Sequence, residues 1–226
     1  MGTGGLGLAL RLWLFSAVDE KGLLPKGHPA DGALYILSAL VLGILFLATR
    51  QLARRHIRAK QVRMLRILAC VAGGLSLVII AFSAHSGSVI RLEGTAKVIR
   101  ILGGLVLLVK ALLAAAGKKS PYWLTALLTM ALVANTVAQC QVWGSVPQLQ
   151  EFFFPLMASV FLVFSAYYKT TLLAGQDSAR KLAFFSQSAL YFCCLSLNAE
   201  QWPLYLGMLF WAAVQLYPCI LKKKEA

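Results

Sequence analysis

Residues 98–117 read VIRILGGLVLLVKALLAAAG, an apolar stretch in which Arg100 and Lys110 carry the only charges. Because an α-helix rises about 1.5 Å per residue, this stretch is long enough to cross a hydrocarbon layer of about 30 Å. Six further runs share its length and character: Ala33–Thr49, Ile67–Ala84, Pro121–Val142, Phe152–Tyr168, Leu182–Leu197 and Pro203–Leu221. The runs are continuously apolar rather than alternating, so they predict helices and not barrel strands. Gly103-Gly104, like Gly73-Gly74 in an earlier run, predicts close approach between helices.

Composition supports the same fold class over the whole chain. Of its 226 residues, 59% are hydrophobic and 13% are charged, whereas soluble domains average about 45–50% and about 25%. One soluble core cannot hide this excess of apolar side chains, so a soluble enzyme is excluded. We predict an all-α membrane protein in which residues 1–226 form a single integral membrane domain.

The amino-terminal run Leu6–Val18 leaves two arrangements open. It is shorter than the other runs and contains Arg11. It is either an eighth transmembrane helix with Arg11 facing the bundle, or an interfacial helix on the outer surface. The prediction is therefore a polytopic bundle of eight transmembrane helices, or of seven plus one interfacial helix. The eighth span is favoured, because an external amino terminus would need export without a preceding signal.

Cations are distributed unequally between the two sides of this threading. The chain has 22 Lys and Arg against 8 Asp and Glu, a net charge of +14. Fifteen cations fall on one side: Arg50, Arg54, Arg55, Arg58, Lys60, Arg63, Arg66, Lys118, Lys119, Lys169, Arg180, Lys181, Lys222, Lys223 and Lys224. Four fall on the other: Lys21, Lys26, Arg91 and Lys97. The positive-inside rule predicts a plasma-membrane protein with a cytoplasmic carboxyl terminus, and it explains the basic charge without nucleic acid as a partner.

The stretch Ala9–Ala30 carries a family resemblance. It contains ALRLWLFS at residues 9–16 and DEKGLLPKGHPA at residues 19–30. It resembles uncharacterised multi-pass membrane proteins of anaerobic Gram-positive bacteria, in which an apolar helix precedes such an external loop. The resemblance covers about a tenth of the chain. It implies an eighth span and a bacterial plasma membrane, and it carries no known activity.

Polar residues inside the runs are the candidate functional groups, since each is costly in a membrane unless it is paired or faces water. They recur at helical spacing in Pro121–Val142 and in Leu182–Leu197, so each run has one polar face. If the two faces meet, they line an outward-facing cleft for a small solute. Otherwise they hydrogen-bond neighbouring helices. The candidate substrate-binding residues are Asn135, Thr136, Gln139, Gln187, Tyr191, Asn198 and Lys110.

Cations near the predicted cytoplasmic face suggest a second kind of contact. Lys110 either extends its ammonium to the membrane surface or binds an anionic group of a substrate. The segment Arg50–Arg66 has seven cations and no acid. It either fixes the topology or binds anionic lipid headgroups. The candidate lipid-binding residues are Arg54, Arg55, Arg58, Lys60 and Arg63.

No motif in the sequence indicates catalysis, a metal or a cofactor. The chain has three histidines and contains neither HExxH nor GxxxxGK[ST]. We therefore expect no enzymatic activity, no metal site and no bound cofactor. The cysteines all lie in apolar runs, where they are predicted to be small buried hydrophobic residues: Cys70, Cys140, Cys193, Cys194 and Cys219.

Two classes of function follow from these observations. The first is a small-solute transporter or membrane binding subunit, alone or with a partner membrane subunit. The second is a structural, sensory or accessory membrane protein without transport activity. Contact of the polar faces with water distinguishes the two, because a solute path must admit water and interhelical hydrogen bonds exclude it.

Overall fold

The computed structural model of the chain describes residues 2–16, 29–50, 59–82, 90–118, 120–143, 149–176, 178–198 and 202–216. These residues form eight α-helices and one short 3₁₀ turn, and they contain no strand. The helices are α1 (Gly2–Ser16), α2 (Pro29–Arg50), α3 (Ala59–Phe82), α4 (Ile90–Ala115), α5 (Tyr122–Trp143), α6 (Leu149–Leu173), α7 (Ala179–Leu195) and α8 (Trp202–Gln215). The predicted all-helical fold is confirmed, and within the described residues each predicted run overlaps one helix.

Five of these helices are long and apolar enough to cross a membrane. The candidate spans are Pro29–Thr49, Arg63–Phe82, Gly94–Ala115, Tyr122–Gln141 and Phe152–Leu173. The other three helices are shorter: α1 has 15 residues, α7 has 17 and α8 has 14. The described residues therefore support a membrane protein with five candidate spans.

The bundle places apolar side chains outside and polar side chains inside. Leu102 is 55% exposed and Leu112 is 69% exposed on the outer face of α4. In contrast, the interior holds Arg11, Lys110 and Gln139, each at most 7% exposed. A water-soluble bundle has the opposite arrangement, whereas a bundle in lipid needs an apolar surface and satisfies its polar groups internally.

Helices α4 and α5 run antiparallel. Lys110 of α4 contacts Thr125 of α5, and Arg100 contacts Asn135, so positions later in α5 meet positions earlier in α4. The end with the α2–α3, α4–α5 and α6–α7 connections holds most of the described cations. We call it the basic end and the other the opposite end. The described cations at the basic end include Arg63, Arg66, Lys118, Lys169, Arg180 and Lys181.

Glycines bring α3, α4 and α8 into close contact. A Cβ atom built on Gly104 would lie 2.9 Å from the Gly74 carbonyl oxygen, and one on Gly73 would lie 3.2 Å from Leu107. On the other side of α3, a Cβ atom on Gly207 would lie 2.7 Å from the Ala72 carbonyl oxygen. The close approach predicted from the two glycine pairs is confirmed, and Gly207 adds a third such contact.

Helix α1 packs against the last turns of α7. Gly4 contacts Cys194, Gly7 contacts Leu195 and Tyr191, and Arg11 binds the Leu195 carbonyl oxygen. From residue 4 to residue 11 an α-helix advances about 10 Å. These contacts nevertheless stay within the last turns of α7, as expected if α1 crosses α7 at the opposite end. This geometry fits the interfacial alternative better than a parallel eighth span.

A disulfide tests this crossing directly. A Cβ atom on Gly4 would lie 3.3 Å from the Cys194 Cβ, close to the separation of about 3.5–4.5 Å found in disulfides. With the other four cysteines replaced, we expect oxidation to link a Gly4→Cys variant to Cys194, as measured by peptide mass spectrometry. The control is Gly5→Cys, because nothing lies within 4 Å of its Cβ position. Equal linkage in both variants would show that α1 is not docked as described.

Candidate functional site

A layer of hydrogen-bonded polar side chains crosses the bundle in the half nearer the opposite end. Arg100 Nε donates to Asn135 Oδ1 at 2.8 Å, and Ser159 Oγ donates to Gln139 Oε1 at 3.0 Å. The Tyr205 hydroxyl interacts with Ser159 and donates to a backbone carbonyl of α6. We call this set the Tyr205 layer: Arg100, Asn135, Gln139, Ser159 and Tyr205.

Helical spacing explains how α5 contributes two amides to this layer. Asn135 and Gln139 are four residues apart and therefore lie on one face, one turn apart. Asn135 is 3% exposed and Gln139 is 2% exposed, so this face points into the protein. The amides diverge at their tips, one toward Arg100 on α4 and the other toward Ser159 on α6. One face of α5 thus joins three helices.

A proline lies inside α6 at the same level. Pro155 lies inside the helix and has no N–H group, so the carbonyl four residues earlier loses its helical donor. The Pro155 carbonyl oxygen in turn contacts the Tyr205 hydroxyl at 3.4 Å, a long distance for an O–H donor. The backbone of α6 therefore makes only a long contact with Tyr205, whose hydroxyl also interacts with the Ser159 side chain.

Arg11 approaches the layer from α1. Its guanidinium donates to the Leu195 carbonyl oxygen and lies 5.4 Å from the centre of the Phe154 ring and 5.5 Å from that of Phe15. Arg11 and Arg100 both lie within electrostatic range of the Tyr205 hydroxyl. The layer therefore contains one cation, Arg100, and has a second, Arg11, beside it, so its electrostatic environment favours negative charge or electron-rich groups.

The predicted residues of α7 lie beside this layer. The Tyr191 hydroxyl and Ser38 Oγ are 3.2 Å apart and join α7 to α2. The Gln187 Oε1 atom is buried and finds no hydrogen-bond partner among the described residues. Asn198 ends the 3₁₀ turn that follows α7, and its side chain lies outside the described residues.

The polar faces of α5 and α7 do not meet in the described residues. Asn135 and Gln139 bond to α4 and α6, whereas Tyr191 bonds to α2. Helix α6 packs against both α5 and α7. The two polar faces therefore do not line a common cleft, because each face bonds to a different neighbouring helix.

Thr136 lies apart from the other candidates on α5. Its hydroxyl donates to the Leu132 carbonyl oxygen at 2.8 Å within the same helix. It lines an apolar groove of about 130 Å³ between α5 and α6. The other lining residues are Val133, Val137, Val160, Val163 and Phe164. This position therefore serves as an internal comparison for Asn135, the adjacent residue.

Lys110 lies nearer the basic end. Its ammonium donates to Thr125 Oγ1 at 2.9 Å, and the residue is 7% exposed. A lysine that extends to the membrane surface would expose its ammonium. In the described structure Lys110 points instead between α4 and α5.

Part of the predicted lipid-binding segment can be compared with the structure. Arg54, Arg55 and Arg58 lie outside the described residues, as does the side chain of Lys60. Arg63 is exposed at the basic end, and its guanidinium donates to the carbonyl oxygens of Ala114 and Ala115. These carbonyls belong to the last turn of α4, so Arg63 caps that helix. Its positive charge also interacts favourably with the negative carboxyl end of the helix dipole.

The cysteines differ in their environments. Cys70 and Cys193 are buried and Cys194 is partly buried, as predicted, whereas Cys140 is exposed on the outer surface. The prediction was wrong for Cys140, because a cysteine in an apolar helix can equally face lipid. Cys219 lies outside the described residues. Within the described ranges, no group of three or more His, Cys, Asp and Glu side chains could hold a metal ion.

Arg100 and Ser159 were not among the candidate residues. Arg100 lies ten residues into α4 and was noted only as a charge within an apolar run. Serine is common in membrane helices, so Ser159 gave no signal by itself. Arg100 could have been identified from the sequence, because any cation inside a membrane span is a functional candidate by default.

The chain matches no known protein family, no curated protein and no solved structure.

Proposed function

We propose that this protein is a small-solute transporter or solute-binding membrane subunit, and that the Tyr205 layer contacts the solute. The observation that supports this most strongly is the set of polar side chains that meet there from α4, α5, α6 and α8. Small residues alone suffice to hold membrane helices together, whereas buried Arg, Asn and Gln cost free energy that helix packing does not require.

The proline inside α6 supports the same proposal. Transporters commonly bind solutes where backbone groups of a helix lack their helical partners, because these groups are available to the ligand. Pro155 removes the helical donor of the carbonyl four residues earlier, and the contact between its own carbonyl oxygen and the Tyr205 hydroxyl is long. A solute with hydrogen-bonding groups would replace that long contact at little cost.

The proposed membrane arrangement follows from the charges and from the lengths of the helices. We propose that α2 to α8 are seven spans and that α1 lies across the opposite end, with the basic end in the cytoplasm. The cation distribution supports this orientation. The Tyr205 layer would then lie nearer the external face, in a bacterial plasma membrane.

Single cysteines test whether the layer admits water. In a background without the five native cysteines, Asn135→Cys and Gln139→Cys should react with a membrane-impermeant thiol reagent. The thiolate is the reactive form, and it forms in water and not in hydrocarbon. Thr136→Cys is the matched control, because it adjoins Asn135 but lines the apolar groove. We expect the control to stay unlabelled.

Protection of both Asn135→Cys and Gln139→Cys would overturn the proposal. Labelling of all three variants alike would also overturn it, because a general reaction would not identify a water-filled path. Slower labelling in the presence of a candidate solute would identify a ligand of the layer.

The second candidate function is that of an accessory membrane protein without transport activity. The observation in its favour is that Asn135, Gln139 and Tyr191 each have a hydrogen-bond partner on a neighbouring helix. In that case the layer only joins helices, and the cysteine variants above should be protected from the reagent.

A further inference from the structure

A second polar cluster lies nearer the basic end, below the surface of the bundle. Lys110 on α4 and Thr125 on α5 are bonded through their side chains at 2.9 Å. Thr125 is fully buried. The Cys70 thiol and the Arg66 guanidinium, both on α3, lie within electrostatic range of the Lys110 ammonium. We call this set the Lys110 cluster: Arg66, Cys70, Lys110 and Thr125.

The ammonium of Lys110 has more donors than the described residues satisfy. An ammonium group has three N–H donors. Within the described ranges one of them is used, in the bond to Thr125. A buried charged donor without acceptors is costly, so a ligand that supplies oxygen atoms would be strongly favoured.

Like charges converge at this position. Arg66 lies one turn before Cys70 on the same face of α3 and acts electrostatically on Lys110. Lys169 of α6 and Arg66 both act on the Cys70 thiol. No acid occurs in the sequence between Glu93 and Glu151 or between Asp31 and Glu93, so these spans offer no carboxylate. Cations held together in a partly buried place favour a bound anion.

The position of the cluster suggests which anion binds. Lys110 lies five residues before the last residue of α4, about 8 Å below the end of the helix. Arg66 is exposed at the surface of the basic end, and Lys110 is buried beneath it. An anion that enters from the level of the headgroups would therefore meet Arg66 first and Lys110 second. Phosphate oxygens match this arrangement, because they accept several charge-assisted hydrogen bonds at once.

We propose that Lys110, Thr125 and Arg66 form a binding site for a phosphate group that enters between α3, α4 and α5 from the basic end. The phosphate is either free in solution or part of an anionic lipid headgroup. This site is separate from the Tyr205 layer and does not depend on the proposed transport function.

Thermal unfolding with defined additives tests the site. The full-length protein is purified in neutral maltoside micelles and a phosphate-free buffer, with ionic strength held constant by chloride. Inorganic phosphate and phosphatidylglycerol are then titrated separately. We expect a saturable rise in Tm with at least one of them, because a ligand that binds only the folded state stabilises it. A response to inorganic phosphate identifies a free anion, and a response to phosphatidylglycerol alone identifies a lipid headgroup.

Two variants separate the site from general charge effects. Lys110→Met keeps most of the side-chain volume and removes the charge, so it should weaken the apparent affinity by about tenfold or more. Lys181→Met also removes one cation from the basic end. Lys181 lies over the ring of Tyr168 and is not part of the Lys110 cluster. This control should leave the affinity unchanged.

The proposal is overturned if neither additive raises Tm, or if Lys181→Met weakens binding as much as Lys110→Met does. Should Lys110→Met fail to fold, Thr125→Val replaces it, since valine keeps the shape of threonine and removes the hydroxyl. Thr125→Val should then weaken the response to the same additive, and an unchanged response would overturn the proposal.

Discussion

Among the glycines that the structure describes, Gly207 is the one at which alanine should destabilise the protein most. The new Cβ atom would lie 2.7 Å from the Ala72 carbonyl oxygen, and it would also overlap the side chain of Ser76. Because the Ala72 oxygen belongs to the backbone of α3, it cannot rotate away, and α3 and α8 must separate. We expect Gly207→Ala to lower the free energy of unfolding by about 2–3 kcal/mol. Thermal unfolding in detergent micelles measures the effect.

Gly43→Ala is the matched control for this substitution. Gly43 also lies inside a helix, yet nothing lies within 4 Å of its Cβ position. Alanine favours the helix over glycine by about 0.5–1 kcal/mol, so this variant should be as stable as the parent or more so. Equal melting temperatures for the two variants would contradict the described contact between α3 and α8.

The second large effect is expected from Arg11→Ala. The substitution removes the donor to the Leu195 carbonyl oxygen and the contact of the guanidinium with the ring of Phe154. It also leaves a cavity, because Arg11 is only 2% exposed. Together these losses should cost about 2–4 kcal/mol. The expected result is a lower Tm and loss of the disulfide between a cysteine at position 4 and Cys194.

Leu12→Ala provides the comparison on the same helix. Leu12 is 51% exposed and lies next to Arg11, so its truncation removes little buried area. It should change stability by less than about 0.5 kcal/mol and leave the disulfide intact. If Leu12→Ala lowered Tm as far as Arg11→Ala, the arginine would not be the residue that holds α1 in place.

The helices themselves could be predicted because lipid imposes one requirement on all of them. A backbone in hydrocarbon must satisfy its own hydrogen bonds, so a long apolar run such as residues 98–117 has little choice but to be helical. Polar faces that point into the protein were predictable for the same reason, and Asn135 and Gln139 are indeed buried. Lys110 is buried as well, although the sequence equally allowed its ammonium to extend to the membrane surface. Helix formation and the direction of a polar face depend on the helical period and on the surrounding lipid. Both can be deduced from one segment of sequence without knowledge of its neighbours.

The partners of those residues could not be predicted, because they depend on which helices are neighbours. The sequence allowed Asn135 either to face Tyr191 across a cleft or to bond to a neighbouring helix. Because α6 packs against both of their helices, Asn135 bonds to Arg100 on α4. Likewise, the length of Leu6–Val18 allowed two arrangements of α1. The choice depends on glycines at positions 4 and 7, whose missing side chains admit Cys194 and Leu195. A helical wheel of α1 alone contains no information about α7.

The contact between Arg11 and Leu195 also sets an order of assembly during synthesis. The two residues are 184 positions apart in the chain. At about 5–20 residues per second, the ribosome needs roughly 10–40 s after it has made Arg11 to reach Leu195. During that interval α1 has been translated but Leu195 has not, so the guanidinium must remain in water or at the lipid headgroups. A nascent chain that stops before Leu195 therefore cannot make this contact, and α1 docks only after the five helices that follow it and α7 have been made.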